Sequence, residues 1–359
     1  MASFWQRLTG RLDTRAVQPS IPSRSATFVN SDSALTLSAV YRAVSILGTS
    51  VAGLRLETYR YATGLEMKIP NPVLVNNPSL EDTRRDFLFQ TVVSLALDGN
   101  AFWLKTPDSR GGTNNLSILA PQAVSVRLDG VNGLTGRKVY DYMGETYTAD
   151  RMEHLKLFSR PGVLRGISPI ESASKDIAAA IDLRDFAVNW YTSGGVPTGV
   201  LKTQLNLSKE DAESVTTNWH NKQQNRQIAV LGSGFDYQAI ALSPRDALFT
   251  EVQSQNVQQI ARLFGVPARM LLTGVDGSSD TYTNMVDELQ IFYRTSLMSY
   301  LDAISDALSN CLPRGTATRF AFEDLFRADP ATRYQMWQTA IAAGFITIDE
   351  VRIKEGLND

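Results

Sequence analysis

Apolar positions along the chain switch between two periods. Leu37, Val40, Tyr41, Val44, Leu47 and Val51 recur every three or four residues, which predicts a helix ended by Gly53. Leu54 to Tyr61 then reads as a strand, and Asn71-Pro72 and Asn77-Pro78 bracket a loop. Asp82 or Thr83 opens an apolar helix that ends near Gly99-Asn100. Between Ala101 and Phe158 the period shortens. AFWLK, LSIL, VSVRL, KVYDYM and HLKLF are short strands separated by Gly, Asn, Pro and Asp turns. Residues 34–166 therefore read as one α+β domain. Residues 1–33, with Pro19, Pro22 and six serines, show little periodicity and read as a flexible N-terminal arm. Phe4, Trp5 and Leu8 leave a second reading open there, a short amphipathic helix that docks on a partner.

The pattern changes after residue 166. Ser168-Pro169-Ile170-Glu171 is a helix start: a capping serine, proline at the first helical position and an acid three residues on. This helix is expected to run to about Ser193, where Gly194-Gly195 stops it. Its apolar stripe is thin, with Ile170, Ala173, Ile177, Ile181 and Val188, and alanines fill much of the rest. Val196 to Thr203 reads as a strand, Ser208 caps a helix through about Lys222, and Gln227–Leu231 and Phe235–Ala241 are strands joined by Gly232-Ser233-Gly234. A second helix then opens on Ser243-Pro244-Arg245-Asp246, carries Leu248, Val252, Ile260 and Leu263, and stops at Gly265. Two capped helices that leave and re-enter a small α/β insert predict an antiparallel stalk. A polar loop from Gly274 to Asp280 precedes the longest helix, about Asn284 to Leu312, with Leu289, Tyr293, Leu297, Leu301, Ile304 and Leu308 on one face. Arg319–Phe322 reads as a strand. Asp329-Pro330 starts a further helix that Gly344 ends, and Thr347-Ile348-Asp349-Glu350 is a capping box for a last short one.

Charge and special residues narrow the function. The 359 residues carry 35 Lys and Arg against 37 Asp and Glu, without the basic excess of a tight nucleic-acid binder. One cysteine, Cys311, excludes an intrachain disulfide and reads as a buried small hydrophobe. No apolar run suits a signal peptide or a membrane span, so a soluble protein with no membrane partner is expected. His154 and His220 lack sequence-local ligand partners, and each reads as structural or solvent-facing. Gly232-Ser233-Gly234 is a hairpin turn rather than a dinucleotide fingerprint, and no GxxxxGK[ST] phosphate loop occurs. Asp276 to Asp280 lacks the alternating ligands and later glutamate of a calcium loop. Asp287-Glu288 and Glu323-Asp324 are adjacent pairs that do not share a helix face. No catalytic residue, metal or cofactor is therefore expected, and an enzyme such as a packaging ATPase or nuclease is disfavoured.

Five stretches resemble the HK97-type phage portal family in order and spacing: SAVYRAVSILGTSVAGLRL (38–56), NPSLEDTRRDFLFQTVVSLALDGNAFW (77–103), GISPIESASKDIAAAIDLRDFAVNWYTSGGVPTGVL (166–201), TEVQSQNVQQIARLFGVPARML (250–271) and ITIDEVRIKEGL (346–357). The resemblance spans some nine-tenths of the chain. It implies a portal fold: an α/β wing over 34–166, stem helices over 167–194 and 244–272, and a small α/β clip over 195–243. It further implies a tunnel loop over 273–283, a long helix with a return to the wing over 284–328, and a short crown over 329–359. The crown looks shorter than the family pattern.

The resemblance also implies roles. Asp276, Gly277, Ser278, Ser279, Asp280, Thr281 and Tyr282 would form the tunnel loop beside DNA. Lys175, Asp182, Arg184, Gln255 and Gln259 would face the channel from the stem. Lys209, Glu210, Asp211, Trp219 and Arg226 would dock partners at the clip. Those partners would be the terminase large subunit and then the head–tail adaptor. The chain itself would form a ring, typically dodecameric, beside the major capsid protein. Double-stranded DNA would pass without sequence preference, with assembly in the host cytoplasm and a final place at the portal vertex of the virion. A loop with two aspartates and no basic residue suits sliding, because each phosphate paired with Lys or Arg adds affinity and acts as a brake. The alternative is a head–tail adaptor or other capsid-vertex protein without a DNA channel.

Overall fold

The computed structural model describes residues 29–62, 65–109, 111–130, 136–192, 199–203, 235–239, 249–271, 288–321 and 330–357, with parts of a helix between 208 and 219. The expected arm (but for residues 29–33), most of the insert, the helix start expected at Ser243–Asp246 and residues 273–283, expected to form a tunnel loop, lie outside the described residues.

A short helix α1 (Ser31–Leu35), closed by a capping box between Asn30 and Ser33, leads into α2 (Ser38–Ala52). The periodic face of α2 is buried at Val40, Val44, Leu47 and Val51, whereas Tyr41, expected on the same face, is exposed. It packs against α4 (Arg84–Asp98). Thr83 caps α4 by accepting from the Asp86 amide, and Gly99 ends it at φ +76°. Helix packing is close enough that a Cβ on Gly48 would lie 2.6 Å from the Phe89 ring. Between the two prolines expected to bracket a loop, residues Val73–Asn76 form one helical turn, α3. Asn71 makes that turn possible: its amide donates to the Leu56 carbonyl at 2.8 Å and its oxygen accepts from Thr58 at 2.9 Å. Leu74 and Val75 are thereby held in the core.

The strands build three small antiparallel sheets. β1 (Leu56–Ala62) is central between β2 (Leu65–Ile69) and β11 (Thr316–Phe320). β3 (Asn100–Pro107) is central between β4 (Thr113–Leu119) and β8 (Met152–Lys156). β5 (Val124–Asp129), β6 (Arg137–Tyr142) and β7 (Glu145–Thr148) form a meander. β2 and β7 escaped the sequence reading because their exposed residues alternate weakly. The main core unites α2, α4, the buried face of β3 and the later helices. Trp103 is fully buried there. Its indole N–H donates to Thr91 Oγ1 at 3.0 Å, so the polar end costs nothing in desolvation. Burying such a side chain contributes about 1.5–3 kcal/mol. A second, smaller core of Phe102, Leu119, Val124, Tyr140 and Met152 closes the two β3 and β6 sheets on each other.

After the domain, α5 (Pro169–Ser172) and α6 (Ser174–Thr192) replace the single helix expected from 168 to 193. Ala173, at φ −103° and ψ 19°, separates them. The bend lets Ile170 dock beneath α4 while Ile177 and Ile181 enter the main core. Val188, expected on the apolar stripe, is instead half exposed. Around it α6, α7 (Phe249–Phe264) and residues 36–39 leave a groove of about 610 Å³. In the insert, β9 (Gly199–Thr203) pairs antiparallel with β10 (Phe235–Ala239).

The long helix is described from residue 288 and contains a π turn, Tyr293–Leu297, before α8 (Met298–Asn310). The extra residue is accommodated against the left-handed Gly265, where any Cβ would collide with the Ser296 side chain. Cys311 is buried, as its position on the apolar face predicts. β11 then returns to the first sheet, with Thr318 opposite Thr58. Finally α9 (Pro330–Ala342) and α10 (Ile348–Glu355) form a hairpin. Arg333 grips Glu355 through two bonds of 2.7 and 2.8 Å, and the Trp337 indole donates to the same carboxylate at 2.8 Å. The Thr347–Glu350 capping box is formed in both directions.

Candidate functional site: the junction and the helix pair

The helix pair leaves the α+β domain at a junction built from two glycine-containing segments. Asp98-Gly99-Asn100 ends α4 and starts β3, and Arg165-Gly166 precedes the capping Ser168. Asn100 is 1% exposed and fully engaged. Its amide donates to Asp98 and to the Gly166 carbonyl at 3.0 Å, and its oxygen accepts from the Gly166 amide at 2.5 Å. The same oxygen meets His154 Nε2 at 3.0 Å. Since that oxygen can only accept, Nε2 carries the imidazole proton. Arg165 donates to Asp98 Oδ1 at 2.8 Å and to the carbonyls of Pro121 and Val124. Ser168 accepts from the Glu171 amide while its hydroxyl donates to the Leu97 carbonyl at 2.8 Å.

Backbone contact sets the geometry as much as these bonds. A Cβ on Gly99 would overlap the Ile167 carbonyl, and one on Gly166 would overlap that of Gly99. Two chain segments about 67 residues apart are therefore locked at glycine distance. The helix pair inherits a fixed direction of departure. No motif read from the sequence singled out Arg165 or Asn100. The only signal was a helix stop at Gly99-Asn100 and a helix start at Ser168, whose apposition is a tertiary fact.

α6 and α7 bury Ile177, Ala180 and Ile181 with Ile260, Ala261 and Phe264 in one core. Lys175, Asp182, Gln255 and Gln259 are exposed on these helices. Arg184 is differently placed from a free wall cation: it grips Asp185 at 2.9 Å and donates to Thr36 Oγ1 at 3.0 Å, tying α6 to the start of α2. Described charges on α6 are Lys175 and Arg184 against Asp176, Asp182 and Asp185, and on α7 Arg262 against Glu251. The pair is thus close to neutral. Of the insert residues, Glu210 and Asp211 are exposed and Trp219 is half-buried, whereas Lys209 and Arg226 lie outside the described residues. Asp211 also serves its own helix start, because its carboxylate accepts from Ser208 Oγ at 2.7 Å. Asp276, Gly277, Ser278, Ser279, Asp280, Thr281 and Tyr282 are outside the described residues too.

Most ionisable groups with large shifts sit in cores, whereas the partly exposed Tyr59 is pushed up to about 12 chiefly by its hydrogen bond to Glu57. Burial pushes the Cys311 thiol up to about 12 and raises Tyr300 as well. Among the described residues no cluster of His, Cys, Asp and Glu could hold a metal, and no helix is long and apolar enough to cross a membrane.

A rigid α+β domain that fastens a near-neutral helix pair through glycine-tight backbone contact defines an architectural subunit. Comparison with known proteins is specific. The family model for phage portal proteins matches residues 38–356. A protein described as "Probable portal protein" of Streptomyces phage phiC31 is 29% identical, covering 99% of this chain and 85% of its own. The portal protein of Enterobacteria phage HK97 is 26% identical over 90% of this chain and 79% of its own. The crystal structure of an HK97 family phage portal protein from Corynebacterium diphtheriae superposes with a TM-score of 0.62 at 18% identity, over 83% of this chain and 96% of its own. A chain from the neck of a native gene transfer agent particle, with C12 symmetry, gives a TM-score of 0.61 at 21% identity, over 96% and 98% of the two chains. The chain belongs to the phage portal protein family, and its function is that of a portal protein. The α+β fold is the one its structural neighbours share.

Proposed function

We propose that twelve copies of this chain close into a ring at one vertex of a virion, and that double-stranded DNA enters and leaves through its centre. In this reading residues 34–166 and 313–328 are the wing, α5, α6 and α7 the stem, 195–243 the clip and 329–359 a short crown. The exposed faces of α6 and α7 carry the reading. Their charges nearly cancel, and Gln255 and Gln259 offer neutral donors and acceptors. A wall of that kind lets phosphates pass without the counterion release that would hold DNA in place. A ring also needs heterologous contacts that close by rotation, and the alanine-rich α6 permits close approach of a neighbour. The clip would meet the terminase large subunit and then the head–tail adaptor, the wing the major capsid protein.

Electron microscopy of the purified protein tests this. Closed rings with a central hole and twelve subunits are expected. Where only monomers form in isolation, the protein is expected at a single vertex of intact particles, and its absence there refutes the reading. Replacing Asp276 and Asp280 together by lysine is expected to slow packaging, and unchanged packaging would remove the electrostatic part of the argument.

A further inference from the structure

β8 lies at the edge of its sheet, with β3 its one strand neighbour among the described residues. Strand alternation places Met152, His154 and Lys156 on one face of β8. The same rule aligns Lys138, Tyr140 and Tyr142 on β6. Tyr140 and Met152 meet in the small second core, and the Tyr140 and His154 rings stand edge to face at 5.7 Å. Beyond them the two sheets leave a cavity of about 440 Å³ lined by Lys105, Lys138, Glu153, His154, Lys156 and Asn310.

The charges around this cavity do not balance. Lys105 is neutralised by Glu153 at 2.9 Å, and the other oxygen of Glu153 accepts from Asn310 at 3.0 Å. Lys138 and Lys156 have no carboxylate partner among the described residues. Both line the same cavity instead. Burial, and then the Lys138 ammonium, push Lys156 below the ordinary lysine range. His154 reports the same field: burial first, then Lys156, Arg165 and Lys138, push it down to about 3. Two ammonium groups on one open cavity, with the lining carboxylate Glu153 already committed to Lys105 and Asn310, leave room for an anion. Lysine is a point-charge ligand suited to a compact oxyanion rather than to bidentate carboxylate recognition.

We propose that this cavity binds a phosphate group between the Nζ atoms of Lys138 and Lys156. The proposal does not depend on the portal reading, and the phosphate can come from free inorganic phosphate or from a nucleic-acid backbone. Both supply the same negatively charged oxygens.

Acylation of lysines in the assembled protein, read by mass spectrometry, tests it. At constant ionic strength in chloride, Lys156 is expected to acylate faster than the surface Lys354. Added inorganic phosphate is expected to protect Lys138 and Lys156 while leaving Lys354 unchanged. A short DNA duplex run in parallel separates the sources. Protection by the duplex at lower phosphate-equivalent concentration assigns the site to a backbone, and protection by inorganic phosphate alone assigns it to the free ion. Calorimetry with whichever probe protects should show binding weakened roughly tenfold for each of Lys138→Gln and Lys156→Gln, the loss expected for one charge-assisted contact. Lys138 is exposed, so its variant should fold. No protection by either probe overturns the proposal, and so does binding that the two substitutions leave unchanged.

Discussion

Replacing Gly99 by alanine separates two costs that a left-handed glycine can carry. Gly99 has φ +76°, and Gly144, in the turn between β6 and β7, has φ +85°. An alanine at either site accepts a left-handed backbone at about 1–2 kcal/mol. The surroundings differ. A Cβ at Gly144 meets nothing within 4 Å, whereas one at Gly99 overlaps the Ile167 carbonyl. Relief requires the 166–168 segment to withdraw from α4. That movement strains the Asn100–Gly166 bonds and the Ser168 bond to Leu97. Losing two of these three part-buried bonds costs about 1–3 kcal/mol more. Gly99→Ala should therefore lose about 2–5 kcal/mol in total, and Gly144→Ala only the backbone component. In thermal unfolding this corresponds to falls of about 5–12 °C and about 2–5 °C. Tryptophan fluorescence is a suitable reporter because Trp103 lies fully buried in the same domain. Equal losses in the two variants would show that the junction yields freely and that the helix pair is not held by backbone contact.

Three other outcomes follow from the same structure. His154 is held near 3 when folded and titrates near 6.5 when unfolded, so the unfolded chain binds the extra proton; the stability it secures is complete above about pH 6.5 and drains away as pH falls toward 3. Between pH 7.5 and pH 5 urea unfolding should show the wild type losing about 1–2 kcal/mol more than His154→Gln, and parallel losses would refute the assignment. Cys311, the sole cysteine, should resist iodoacetamide at pH 8 until the protein unfolds, since burial keeps its thiol protonated; full labelling of the native protein would contradict this. Glu355→Ala should release both Arg333 and Trp337, speeding hydrogen exchange across 330–357 while leaving the midpoint of the α+β domain unchanged, and a shift of that midpoint would show that the hairpin supports the domain.

Local chemistry made some of this legible in advance. Ser168, Thr347 and Gly99 announce helix ends through groups that bond within three or four residues, and each does so as the residue types require. The α2 face and the burial of Cys311 follow from period alone. What stayed hidden depends on distant partners. The break at Ala173 exists because Ile170 has α4 to pack under, and Val188 is exposed because α7 leaves a groove beside it. Arg184 reads as a wall cation only until Thr36, some 148 residues earlier, is placed next to it. Asn100 and Arg165 carry the junction, yet polar residues beside a turn give no hint of burial in one sequence. Lys138 and Lys156 lie on separate strands whose pairing into facing sheets no local pattern foretells.

The π turn at Tyr293–Leu297 sets an angular phase. Each residue in an α-helix advances the side-chain direction by about 100° and the axis by about 1.5 Å. One additional residue inside a continuous rod therefore clocks everything before it by about a third of a revolution relative to everything after it. α8 keeps Leu301, Ile304 and Leu308 facing the core, and the preceding residues still bring Phe292 inward. With a regular helix across this point, aligning one half would swing the other half's apolar side chains away from their seats. Deleting a single residue between 293 and 297 would thus act as a rotation rather than a shortening, turning whatever residues 288–292 carry toward a new compass bearing while α8 stayed where it is.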